Sequence, residues 1–107
     1  MGYHLSANTF ISIRSSTRIL EALDLPAPQL TTGEEWNVYR VSGEMLTAWE
    51  ARAEEITRRV ETSSYITTME LRFIQLWYVV YEAAMEWMVE NDPTQEKSLS
   101  DAELWFA

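Results

Sequence analysis

The sequence predicts an all-α fold, a small antiparallel bundle of three to four helices. Three observations carry that prediction. Residues 44–61 repeat apolar side chains at alternating spacings of three and four. Residues 65–91 are apolar along two helical stripes. The whole chain holds only three Gly and three Pro, which leaves few tight turns. A length of 107 residues supports one domain, residues 1–107. An apolar content of 47% is enough to build its core.

The elements follow in order. The amino-terminal segment, residues 1–16, is ambiguous: TFISIRS reads either as a short strand or as a poor helix, because Ser and Thr compete for backbone hydrogen bonds. STRILEALDLP predicts a short helix capped by Ser16 and ended before Pro26, with Ile19, Leu20 and Leu23 on its apolar face. LPAPQ is an extended connector. Residues 34–43 are contested. Thr32 and Glu35 fit a capping box, whereas Trp36, Val38, Tyr39 and Val41 favour a strand. The segment does not alternate cleanly, so helix is preferred, with Gly43 marking a bend or break.

Between Glu44 and Glu61, Leu46, Trp49, Ala53, Ile56 and Val60 form one seam. Glu54–Arg58 and Glu55–Arg59 stand in the favourable i, i+4 order. Ser63 or Ser64 can then cap a helix from Tyr65 to Asn91. One stripe of that helix holds Met69, Phe73, Leu76, Trp77, Val80, Ala84 and Trp87. A second holds Leu71, Ile74, Tyr78, Tyr81, Met85 and Val89. A helix apolar on two sides needs two sets of neighbours, which predicts a homodimer. Pro93 ends the helix. SDAELWFA reads as a final short helix capped by Ser100 with Glu103, whose Leu104, Trp105 and Phe106 dock on the bundle.

The composition excludes much chemistry. There is no Cys, and His4 is the sole histidine, so a common zinc ligand set and Ser–His or Cys–His catalysis have no basis. Glycines only at 2, 33 and 43 exclude phosphate-binding glycine loops. ENDPTQEKSLSDAE offers oxygen ligands but lacks the glycine of a calcium loop. No enzymatic activity, metal or cofactor is expected. No run of about 18 apolar residues is present. The amino end lacks a basic start followed by an apolar block. MGYHLS matches the form of a lipidation signal, but no basic cluster supplies a second anchor. A cytoplasmic location is the expectation.

The formal net charge is −9. It is concentrated: beyond residue 81 seven acids face Lys97 alone. Such a chain should repel nucleic acid and anionic membrane and attract a basic protein. Glu82, Glu86 and Glu90 lie about 6 Å apart along the helix axis, with no Lys or Arg within four residues of any of them. Each like-charge pair costs a few tenths of a kcal/mol. Each also opposes the negative end of the helix dipole, by about 0.3–1 kcal/mol where exposed. Arg14, Arg18 or Arg40 from another segment could answer them as a solvated face.

The functional reading is an anionic patch of Glu82, Glu86, Glu90, Asp92, Glu96, Asp101 and Glu103. Its sign and approximate pitch are those of a phosphate backbone. It would suit a regulator or inhibitor that blocks a basic, nucleic-acid-binding partner protein, the general manner of small acidic phage inhibitors of host defence. The alternative is a homo-oligomeric structural or assembly-chaperone component. It would use the aromatic surface of helix 65–91, with Tyr78, Tyr81, Met85, Trp87 and Trp105 as the interface residues.

Overall fold

A computed structural model describes residues 13–32, 37–62, 64–92 and 94–106. The elements run α1 (Ile13–Ala22), β1 (Gln29–Thr32), β2 (Asn37–Ser42), α2 (Gly43–Glu61), α3 (Thr68–Asn91), a 3-10 turn (Leu99–Asp101) and β3 (Glu103–Phe106). The all-α expectation is therefore corrected. The molecule is mostly helical, but a small antiparallel sheet of order β1-β2-β3 replaces the additional helices of a bundle.

Both strand corrections have one cause. Tyr39 pairs with Phe106 and Val41 with Leu104 across the β2–β3 ladder. Val41, Leu104 and Phe106 are buried, and Tyr39 packs against the same core. Arg40 lies opposite Trp105 on the other face. The period of two thus governs residues 39–42 and 103–106. The pairing spans more than 60 residues of chain, so local propensity at either segment could not announce it. The Ser100–Glu103 helix start is likewise replaced: Asp101 accepts from the Ser98 N–H at 2.8 Å in the 3-10 turn, and Glu103 already belongs to β3.

Helix α1 begins before the expected cap, so Ser16 lies inside it and is buried. Its end is a Schellman-type closure. The Leu25 N–H donates to Leu20 O at 2.8 Å and the Asp24 N–H to Glu21 O at 3.1 Å, with Asp24 in the left-handed region. The chain then enters β1, which pairs Gln29 with Arg40 and Thr32 with Asn37. Thr32 is a strand residue. Its expected capping partner Glu35, together with Trp36, His4, the MGYHLS segment and residues 9–12 of TFISIRS, lies outside the described residues.

Helix α2 starts on β2 without a loop. Ser42 accepts from the Met45 N–H at 3.4 Å. Leu46, Trp49, Ala53 and Ile56 are buried as the seam requires, while Val60 is exposed. The buried indole of Trp49 donates to Pro26 O at 2.8 Å, which ties α2 to the connector after α1. Helix α3 is capped by Thr67 rather than Ser63 or Ser64. The Thr67 hydroxyl accepts from the Glu70 N–H at 3.1 Å, and the Glu70 carboxylate accepts from the Thr67 N–H at 2.9 Å. α3 packs against α1, α2 and β3, burying Phe73, Leu76, Trp77, Val80, Ala83 and Ala84. Among the described residues no helix is long and apolar enough to cross a membrane.

Gly43 opens α2 where the helix meets the 3-10 turn. A Cβ built there would lie 1.9 Å from Ser100 O and 2.3 Å from Ser100 C. That is backbone, which cannot swing aside. In an open helix interior Gly→Ala stabilises by about 1 kcal/mol. Here Gly43→Ala is expected to destabilise by about 1–3 kcal/mol through overpacking. Urea denaturation checks the sign, and a variant as stable as the parent would contradict the close approach.

Candidate functional site

The structure sorts the seven carboxylates of the anionic patch into two groups. Three serve the chain itself. Asp92 is buried and accepts from the backbone N–H groups of Glu96 and Lys97, both at 2.8 Å. Asp101 holds the start of the 3-10 turn. Glu103 accepts from Arg40 Nε at 2.6 Å, so one of the arginines weighed as a counter-ion does answer an acid. The others lie on the surface. Glu82, Glu86 and Glu96 are exposed, and among the described residues none of their side chains has an ion-pair partner. Glu90 is exposed too, and has an interaction of its own. No basic residue occupies the last turn of α3.

The aromatic candidates divide as well. Trp87 packs against the core with Lys97 Nζ 5.3 Å from its ring centroid. Trp105 is half-buried on the outer face of β3, with the Arg40 guanidinium 5.9 Å from its centroid. Both rings are thus engaged by the chain's own cations. Tyr78, Tyr81 and Met85 stand elsewhere, on the second stripe of α3. Tyr78 is 68% exposed and Val89 78%, with Leu71 and Tyr81 also exposed and Met85 and Ile74 half-buried. Among the described residues the first stripe has neighbours, while most of this one stays exposed and Ile74 packs against the core. At about 100° per residue Glu82 lies about 40° round the helix from Tyr78 and about 20° from Val89, on the same side, with Glu86 about 40° further round. Anionic and apolar groups therefore share one surface.

A groove of about 570 Å³ runs beside this surface, between α2 and α3. On the α2 side it is lined by Glu50, Glu54, Arg58 and Glu61, above the buried Ala53. On the α3 side it is lined by Ile74, Trp77, Tyr78 and Tyr81. Trp77 and Tyr81 contact each other with ring centroids 5.5 Å apart, tilted by 46°. The expected Glu54–Arg58 pair does not form among the described residues, so three carboxylates and one guanidinium line the α2 wall unpaired. The sequence did not mark Glu50 or Glu61 as site residues, and marked Glu54 only as the expected partner of Arg58. Their only signal was regular spacing along the wet face of α2, and nothing in it announced that Tyr78 and Tyr81 would stand opposite.

The two helices are pinned where α2 ends and α3 begins. Arg59 donates through Nη1 to Glu70 Oε1 at 3.3 Å and through Nη2 to Glu70 Oε2 and to Glu55 Oε2, the last at 3.1 Å. Its Nε lies 2.9 Å from Glu55 Oε1. Glu70 is buried, and the Arg59 guanidinium with the Thr67 N–H holds its carboxyl at about 2, below the ordinary 4.5. Arg59 in turn binds its proton more tightly, chiefly through Glu70 and then Glu55.

Among the described residues no group of three or more His, Cys, Asp or Glu side chains is gathered as a metal ion would require. Comparison with protein-family models, with curated protein sequences and with solved structures gives no match. The geometry alone carries the functional reading.

A carboxyl whose pKa is depressed on folding stabilises the fold above its unfolded value. That contribution is lost as pH falls from about 4.5 towards about 2. Glu70→Gln is therefore expected to lower stability near neutral pH by a few kcal/mol, with the deficit shrinking below pH 4.5. Parallel denaturation of parent and variant from pH 7 to pH 2.5 reads the convergence; a constant offset across that range would contradict the buried pair.

Proposed function

We propose that this protein is a small acidic regulator or inhibitor that acts by binding, docking the anionic outer face of α3 on a partner protein with a basic surface. The observation that carries the reading is the mixture on that face. Among the described residues Glu82 and Glu86 have no ion-pair partner, and they border the exposed Tyr78 and Val89. Carboxylates alone would serve solubility. Apolar groups alone would favour self-association. Together they suit a cationic surface with apolar content. A Lys or Arg at about 4 Å from a carboxylate gains about 1–4 kcal/mol, depending on how much water the interface excludes. Each Å² of Tyr or Val surface removed from water adds about 25 cal/mol. A partner that binds nucleic acid has the required surface, and a row of carboxylates on one helix face would occupy it in place of phosphates. Asp92, Asp101 and Glu103 are left out of the docking surface because the fold uses them.

The homo-oligomer reading rests on the same exposed stripe, particularly Tyr78 and Tyr81. Salt separates the two. Capture of host proteins on immobilised chain is compared at about 50 mM and about 500 mM salt, where screening shortens to a few Å. The docking reading expects specific capture at low salt, loss at high salt, and loss with Glu82→Gln combined with Glu86→Gln. A salt-insensitive self-association abolished by Tyr78→Ala would instead establish the oligomer.

A further inference from the structure

The α2–α3 groove adds a second recognition element beside the docking face. We infer that it seats an amphipathic basic helix of the partner. This rests on the binding reading above and names the shape of what is bound.

The dimensions fit one helix. From Glu50 to Glu61 the α2 wall rises about 16 Å, the length of about eleven helical residues. Ala53 at the buried base is small, so a partner side chain can approach the α2 backbone closely. Ile74, Trp77 and Tyr81 give the α3 wall an apolar surface for anchors repeating at three and four residues. The charge fits a basic helix. Glu50, Glu54 and Glu61 outnumber Arg58 on the rim, and none is neutralised by another described residue. A Lys or Arg stem can lie along the exposed Tyr78 ring and still present its charge to the acidic α2 wall. A nucleic acid would meet repulsion here. A second copy of the chain would bring a net charge of −9 to a rim that is already anionic. A small cation would leave most of the groove empty.

The test uses the full chain and a fluorophore-labelled peptide of about 14 residues, Leu and Lys arranged as an amphipathic helix. The control is a scrambled peptide of identical composition and charge. Anisotropy titration should show the patterned peptide binding about tenfold tighter than the scrambled one. Tyr78→Ala, and separately Glu54→Gln with Glu61→Gln, should each weaken it by about tenfold. These positions are exposed, and circular dichroism checks that the variants fold. Equal binding of the two peptides would overturn the groove as the seat. So would binding lost in the Glu82→Gln, Glu86→Gln variant but unchanged in the groove variants; the anionic docking face would then stand without the groove. No binding of either peptide overturns the basic helix as occupant. If salt-sensitive lysate capture persists in that case, the broader reading survives it. Self-association of the free chain that disappears in Tyr78→Ala would assign the groove to a second copy and also overturn the proposal.

Discussion

Helix α3 has two apolar sides, and the described chain covers one of them. That constraint organises the rest of the molecule. Phe73, Leu76, Trp77, Val80 and Ala84 draw α1, α2 and β3 onto one face. Leu71, Tyr78, Tyr81 and Val89 remain outside. At 24 residues and 1.5 Å per residue the helix is about 36 Å long. That exceeds two of the molecule's three principal extents, 33 and 25 Å. α1, α2 and β3 all pack on one side of it, and most of the second stripe stays exposed.

Two close contacts fix how the covering elements sit. At one end of α2 the absent Cβ of Gly43 lets the helix start press on the Ser100 backbone, which delivers β3 to β2. At the other end Arg59 and Glu70 join the close of α2 to the capping box of α3. A buried ion pair is an uncertain source of net stability against an apolar replacement, but it is costly to break by removing one partner. Its value here is positional. Glu70 cannot satisfy both Arg59 and the Thr67 N–H unless α2 and α3 hold one relative placement. The groove between them is therefore a set feature of the fold, with its carboxylate rim opposite its tyrosines.

The long helices were legible because their evidence is local. Leu46, Trp49, Ala53 and Ile56 recur at helical spacing and are buried; the two stripes of α3 were readable residue by residue. Capping chemistry was legible in kind and misplaced in position. Thr67–Glu70 and Ser98–Asp101 serve where Ser63 or Ser64 and Ser100–Glu103 were expected, because several Ser and Thr near each start satisfy the same rule. The sheet was not legible. Tyr39 and Val41 carry β propensity, but the segment becomes a central strand only through pairing with β1 on one side and with Leu104 and Phe106 on the other. The same limit applies to the site. Spacing showed Glu82 and Glu86 without local counter-ions. It could not show that Asp92 would turn inward, that Arg40 would reach Glu103, or that the wet face of α2 would meet the tyrosines of α3.

The account stands on the outer face of α3 being the surface that meets another macromolecule. Hydroxyl-radical footprinting of the full chain, free and bound to the protein it captures at low salt, measures that face directly. The account predicts strong protection of Tyr78 and Tyr81 on binding, with Trp105 unchanged beneath Arg40. Tyr78 and Tyr81 as reactive in the complex as in the free chain, with protection at Trp105 instead, would place the interface on the sheet and contradict it.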